Sequence, residues 1–562
     1  MKKLLAFILA GCTLLSLFGC GKKNGGQTDG DVHKITIYRY MDLGLGEGTE
    51  DAVVERAIAD KFYQDTGIKI SLDVKFYSHS ELQTKVDTNW TKRSADMDGV
   101  LHYVSEDYGC ATLRYATSSE TVKELEGLLD QYGPNIKKYL AMNDENANRR
   151  MSCYVNNDGE FKMNYLIAAH NDGPYGLLVR KDYMKAVQDK TGLDPEDYDI
   201  MNDGYKSMTI TEFETLLYAL RENYNKTEMK YPIIGAPWDI NYTVANALSA
   251  DCYSIQYDAE GNYAPAQFSP QVAEYYDMLQ KWAYDGVWES EAANVADSQR
   301  RGWFIAGQAA VYAAAPTAEN VITTKRYLEQ QNPMAEYMVI APLATKDGVV
   351  NGYTNTWGPD GLVIPEKAND AEVLIQYIDW LYSDVENYEL AQYGVKGTHW
   401  VEGDDRTVNG QTYKTWLYPD AKADEYALNA PYQGRYNLLE NIYISNRVRG
   451  DYNTMEMTWY HNIVDAFPVF HSNKIEGIWI GNCPRDYKAQ FNSIDGNYVE
   501  HVRSYAWAGI YRVNPDTGKE ETCSETLANY VATRKIDAKG YLDWLNEYIA
   551  TAKAFKKEKF GV

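Results

Sequence analysis

Asn164-Tyr-Leu-Ile-Ala-Ala-His170-Asn-Asp-Gly-Pro174-Tyr-Gly-Leu-Leu-Val-Arg-Lys-Asp-Tyr183 is the stretch that decides how this chain is organised. Its first residues read as a short apolar strand. His170 to Pro174 form a breaker cluster, and Tyr175 onward reads as a second apolar strand closed by Arg180-Lys181-Asp182. Such a segment carries the chain from one packed unit into another. Helical and strand patterns alternate before it and again after it, so the expectation is an α/β protein of two lobes with a ligand-binding cleft between them.

Upstream, Ile35-Thr-Ile-Tyr38 is a first short strand, followed by a helix capped by Thr49 with Val54, Ala57, Ile58 and Phe62 on one face and Gly67 at its end. Ile68, Ile70, Leu72, Val74 and Phe76 alternate with polar residues, the period of a strand with one buried face. Ser80 with Gln83 reads as a capping box for a helix carrying Leu82, Val86 and Trp90, and Gly99 to Val104 is a further buried strand. The order β-α-β-α-β implies a mainly parallel sheet with ligand groups at the carboxyl ends of its strands. Downstream, Thr209 with Glu212, Ser269-Pro270, and Asn369 with Glu372 open three more amphipathic helices. Asn157-Asp158-Gly159, Ala259 to Asn262 and Asn514 to Gly518 are loop tips. Residues 401 to 520 are rich in Tyr, Asn, Asp and Gly and read as an elaboration of the cleft or a surface appendage. From Tyr541 a last helix turns Leu545, Tyr548, Ile549, Ala552 and Phe555 inward.

With 562 residues the chain is too long for one core, and two large lobes fit if each gathers non-contiguous pieces. The net charge of -25 and the lack of a sustained Lys/Arg run argue against nucleic acid as a partner. Aromatic residues make up 13%, with 48 Tyr and 13 Trp, side chains that pair a flat apolar face with a polar edge and suit hydroxylated rings such as sugars. Met1-Lys2-Lys3, an apolar run from Leu4 to Phe18 and Gly19-Cys20 resemble a bacterial lipoprotein signal peptide. Leu9-Ala10-Gly11-Cys12 competes with Leu17-Phe18-Gly19-Cys20 as the lipidated tetrad. Cys20 is favoured because Gly21 to Gly26 follows it as a flexible tether. The expected division is therefore a signal peptide over 1–19 and a lipid-anchored tether over 20–32. Five further cysteines (Cys110, Cys153, Cys252, Cys483, Cys523) stand at wide spacing without a metal-ligand pattern, so buried thiols are expected and no metal or other cofactor.

Phe62 to Ile70 and Leu125-Glu-Gly-Leu-Leu-Asp-Gln-Tyr-Gly-Pro-Asn-Ile136 resemble successive passages of extracellular solute-binding proteins of bacterial ABC importers. The likeness continues in order through Tyr175 to Tyr183, Thr209 to Leu217, Trp282 to Trp288, Phe304 to Val311 and Tyr393 to Trp400. It is most similar to the large lipoprotein members associated with carbohydrate uptake in Gram-positive bacteria. The resemblance implies the type II two-lobed fold, with lobe 1 at 33–168 and 318–394, lobe 2 at 169–317 and 395–562, and crossings near 169–174, 313–317 and 394–400. It implies a sugar or oligosaccharide held in the cleft and passed to the permease subunits of an ABC transporter, with the protein tied to the outer face of the cell membrane by its N-terminal lipid.

Tyr40 with Asp42, and Tyr103, follow strands at the carboxyl edge where such sheets bind ligands. Trp238 and Asp239 follow the strand-like Tyr231-Pro-Ile-Ile234, and Trp357 lies in a Gly- and Pro-containing loop that resembles a cleft loop of the family. The family often places an aromatic just after the strand at 309–312; here Tyr312 ends that strand and Ala313-Ala-Ala-Pro316 follows. A glycoside hydrolase is the enzymatic rival, since 80 acidic residues place some carboxylates at catalytic spacing in any cleft, and a peptide or other small solute is the rival ligand. Without HExxH, GxSxG or a Walker-type loop the expectation is a binding protein and no enzyme, with His399 a structural residue.

Overall fold

The computed structural model describes residues 32–40, 49–92, 96–103, 121–142, 150–151, 153–157, 160–167, 176–250, 255–289, 295–314, 318–350, 360–428, 430, 432–466, 498–533 and 539–561, with 487, 489 and 496. Nine strands build its two larger sheets: β1 (His33–Tyr40), β2 (Ile70–Tyr77), β3 (Gly99–Tyr103), β4 (Leu166–Ile167), β5 (Gly176–Arg180), β6 (Tyr231–Ile234), β7 (Ala309–Ala314), β8 (Tyr337–Ile340) and β9 (Asp360–Val363).

The first sheet has the order β2-β1-β3-β9-β4, with β1, β2 and β3 parallel and β9 antiparallel to both β3 and β4. Ile70, Leu72 and Val74 are buried at alternate positions of β2, as their period requires. They share a core with Val54, Ile58 and Phe62 of helix Thr49–Thr66 and Leu374, Tyr377, Ile378 and Leu381 of helix Ala371–Ser383. Gly67 at φ +74° lets the chain leave the first helix and turn into β2.

The second sheet has the order β8-β5-β7-β6, with β5 antiparallel to β7 and β8, and β7 parallel to β6. Leu177 and Val179 of β5 face helices Ile210–Asn223 and Pro270–Tyr284, while Leu178 faces the opposite layer with Tyr312, Val339 and Trp459. Both faces are covered, which is why every residue of β5 is buried and why its sequence is apolar without alternation.

Because β4 lies in the first sheet and β5 in the second, the chain passes between them at 168–175; the breaker cluster itself lies outside the described residues. The second passage is displaced from the expected 313–317. Helix Ala318–Gln331 packs Val321 and Ile322 on the second core, and β8 pairs with β5. Tyr337-Met-Val-Ile340 is apolar on both faces, and pairing with β5 covers both, Met338 and Ile340 in one layer and Val339 in the other. The chain returns to the first sheet only between β8 and β9, so 318–340 belongs to the second unit rather than lobe 1.

The assignment of 395–562 wholly to lobe 2 is also corrected. Tyr426, Tyr432, Tyr436, Leu438 and Leu439 lie in the first core, where Arg39 of β1 donates to the carbonyl oxygens of Gly434 at 2.6 Å and Asn437 at 3.3 Å. The hairpin of strands Val401–Val408 and Gln411–Leu417 reaches from Trp400, Trp416 and Tyr418 at its base to Val408 and Tyr413, which rest on the second core. Residues 498–533 pack on helix Pro270–Tyr284, where Ser524 N donates to Asp277 at 2.8 Å.

Two helix starts differ from expectation. Ser78, not Ser80, caps helix His79–Lys92 through Glu81, at 2.8 Å from its hydroxyl. Helix Ala371–Ser383 is opened by Asp98 instead of Asn369 and Glu372: its carboxylate accepts from Asn369 N at 3.1 Å, Asp370 N at 3.2 Å and, across the sheet, Thr36 N at 2.9 Å. The Thr209–Glu212 box is present as expected. Among the described residues no helix is long and apolar enough to cross a membrane.

Candidate functional site

Strand pairing fixes which ends of the two sheets meet. In the first, β1, β2, β3 and β4 finish, and β9 begins, at one edge; Tyr103 pairs with Asp360, and Ile167 with Gly361. In the second, β6, β7 and β8 finish at the edge where β5 begins, with Ala314 opposite Gly176 and Leu177 opposite Ile340. The two passages that link the sheets directly, 168–175 and 341–359, therefore run from the carboxyl-end edge of one sheet to that of the other, and a third, 440–447, joins Leu439 of the first core to Val448 of the second. The loops that leave those strands are brought to the junction of the units, the place where open α/β sheets take ligands.

On the first side stands a ring cluster. Tyr40, half-buried at the end of β1, has its ring centroid 6.0 Å from His79 and 6.0 Å from His102. His79, the first residue of its helix, lies 3.1 Å (Nδ1) from His102 Nε2, and its own Nε2 lies 2.6 Å from Gln83 Nε2. His102 is fully buried, and loss of water followed by the nearby His79 pushes its pKa down to about 3, so it stays neutral. A neutral imidazole with its partner fixed by helix and strand holds the His79 ring, and with it the face offered to Tyr40. Tyr103 closes β3 at this edge through its backbone pair with Asp360. Asp42 and Trp357 lie outside the described residues. The two histidines were not anticipated; an imidazole inside the continuously buried run Gly99-Val-Leu-His102 was the available signal.

On the second side, the chain leaves β6 through Gly235 and enters helix Pro237–Thr243, with Pro237 at its first position. Trp238 is 50% exposed there, an uncommon state for so large an apolar surface. Asp239 is not free to take a ligand hydroxyl as expected. It is buried, and its carboxylate accepts from Ala236 N at 3.2 Å, the reach-back bond that opens the helix. Tyr312 is likewise corrected to a packing residue. It is 1% exposed and lies against Phe304 at 5.9 Å between centroids, because its place in β7 points it into the layer of Leu178 and Trp459.

Sequence reasoning also missed Glu289 and Arg300, both 1% exposed, with Arg300 Nε 2.5 Å from Glu289 Oε1. Trp288 bridges to Ile233, which sets Glu289 beside the end of β6. Burial raises the Glu289 pKa against the pull of Arg300. Between Gly176, Leu177, Tyr242, Thr243, Asn246 and Ala341 to Leu343 lies a cavity of about 10 Å³, room for one water. His399 is buried and structural in its contacts: Nδ1 accepts from Val395 N at 3.0 Å and Nε2 reaches Glu50 at 3.0 Å. Cys153 and Cys523 are buried, and burial pushes the Cys153 thiol up to about 12. Among the described residues no cluster of three or more metal-ligating side chains occurs. The junction thus offers flat ring faces and hydrogen-bonding ring nitrogens and hydroxyls.

No family model matches the sequence, and no curated protein does. Solved structures do. An extracellular solute-binding protein from Bifidobacterium longum subsp. infantis superposes with a TM-score of 0.58 at 15% identity, over 94% of this chain and 100% of that one. The N-glycan transport solute-binding protein NgtS of Streptococcus pneumoniae gives 0.57 at 15%, over 94% and 100%. The alginate-binding protein AlgQ2, in a structure without calcium ion, gives 0.58 at 16%, over 93% and 99%. Likeness at this identity, spanning nearly the whole of each chain, assigns the fold: the two-lobed α/β architecture of solute-binding proteins.

Proposed function

We propose that this chain is a solute-binding protein that takes a sugar or oligosaccharide between its two units and delivers it to the permease subunits of an ABC importer. The observation that carries the reading is the meeting of the two carboxyl-end edges at the passages, with Tyr40 and His79 on one side and a half-exposed Trp238 on the other. Aromatic faces stack on the C–H faces of sugar rings, and ring nitrogens, hydroxyls and amides bond their hydroxyl groups. Solved neighbours of the same fold support the ligand class: one is described in complex with Man1GlcNAc, another in complex with kestose.

Tyr40, Asp42, Tyr103, Trp238 and Trp357 remain the proposed contacts, joined by His79, whereas Asp239 and Tyr312 are assigned to helix start and core. The protein is proposed to sit on the outer face of the cell membrane, held by lipid on Cys20. Incubation of the purified chain with a panel of oligosaccharides tests the reading. Stoichiometric binding with the sugar recovered intact supports it, and release of new reducing ends would replace it by a hydrolase.

A further inference from the structure

We infer that the C-terminal helix Lys539–Phe560 is a strap that ties the two units together at a point separate from the passages of the main chain. With 22 residues it spans about 33 Å at 1.5 Å per residue, long enough to cross from one unit to the other. Its part as far as Lys553 is fixed to the second unit. Asn546 forms a two-way bond with the backbone of Tyr263, accepting from its N–H at 3.0 Å and donating to its carbonyl at 2.9 Å, and Lys553 Nζ donates to the Tyr263 hydroxyl at 2.7 Å. Tyr263 belongs to the hairpin of strands Ile255–Tyr257 and Tyr263–Pro265, which runs straight into Ala266, a residue of the second core.

Its part from Phe555 onward is fixed to the first unit. Phe555 stacks on Phe161 at 4.6 Å and 17° and meets Tyr154 at 5.3 Å. Phe560 lies 5.7 Å from Tyr154 and under the Arg150 guanidinium at 4.8 Å, and Lys559 pairs with Glu126 at 2.6 Å. Tyr154 and Met163, on the hairpin of strands Tyr154–Asn157 and Glu160–Met163, are buried in the first core. Within the first half of the helix, Tyr541, Leu545, Tyr548 and Ile549 form a small core of their own that touches Phe161 from one unit and Tyr263 from the other. A helix that merely completed one unit would put its anchors on one core; this one divides them. Any change in the angle between the units must therefore slide or bend this helix, or break one set of anchors.

The test reads the separation of the units without any sugar, so its outcome is independent of the proposed ligand. Asp60 and Glu222, exposed positions on one helix of each unit, are each replaced by the ketone-bearing amino acid p-acetylphenylalanine, and a ketone-reactive nitroxide on these side chains reports an interlobe distance distribution while leaving native thiols unlabelled. The parent chain is expected to give a narrow distribution. Phe555→Ala with Phe560→Ala, which frees the first-unit end, and Asn546→Ala with Lys553→Ala, which frees the second, should each widen it about equally. All four substitutions together should widen it no further, since a strap cut at either end is cut. Should the Phe pair fail to fold, Lys559→Ala with Arg150→Ala loosens the same end from the surface and is expected to act in the same direction. Distributions that stay narrow in both variants, or widen in only one, would overturn the strap.

Discussion

Two tryptophans separate the jobs a large aromatic does in this molecule. Trp238 is half-exposed at the start of its helix, whereas Trp282 is fully buried in the second core with Nε1 donating to Glu214 at 3.1 Å. Removal of a stacking aromatic from a binding site costs about 2 kcal/mol, roughly thirtyfold in affinity. Removal of a buried Trp costs about 3–5 kcal/mol of stability. Trp238→Ala is therefore expected to weaken sugar binding by calorimetry while melting close to the parent, and Trp282→Ala to lower the melting temperature by many degrees. His102 gives a second test. Its folded pKa of about 3 lies below the 6.5 of an ordinary imidazole, so between those values the unfolded chain takes up a proton that the folded one refuses. Acid from pH 6.5 downward thus removes stability through this residue, at up to about 1.4 kcal/mol per pH unit. The difference in melting temperature between parent and His102→Gln should shrink as pH falls through this window; a constant difference would mean that His102 is not held neutral by burial.

At the scale of elements, local patterns were legible and long-range partners were not. The alternation from Ile70 to Phe76, the Thr209–Glu212 box and the inward face of the last helix all stand where period and capping chemistry place them. The start of helix Ala371–Ser383 could not be read, because its acceptor is Asp98, distant in sequence and buried beside β1. The same cause hid the true place of 318–340: an apolar strand declares that it is covered on both faces but not by which sheet. Trp238 could be marked as a site candidate from its position after a strand, whereas Pro237 followed by Asp239 was a helix-start signal that placed the Asp239 carboxylate on Ala236 N. Asp98→Ala leaves three N–H donors without their acceptor, each worth about 1–3 kcal/mol when buried and unsatisfied. A loss of at least about 3 kcal/mol in denaturant unfolding is expected, with Asp98→Asn losing less; a loss under about 1 kcal/mol would show that water replaces the carboxylate.

For the whole molecule, the two units are joined by two passages at the facing edges, by a third between Leu439 and Val448, by the hairpin of residues 401–417 and by the last helix, a degree of connection that favours a hinge of limited travel over free domain motion. With lipid on Cys20, as proposed, that hinge would sit at the membrane surface. Metabolic labelling with a fatty-acid probe is expected to vanish in Cys20→Ser and to persist in Cys12→Ser, and the reverse pattern would move the anchor. The central claim, that a sugar is captured between the units, is tested most directly by small-angle X-ray scattering of the chain with and without a saturating oligosaccharide shown to bind. The account predicts a smaller radius of gyration in the bound state as the facing edges close on the ligand. Superimposable profiles, with binding verified in the same sample, would contradict it.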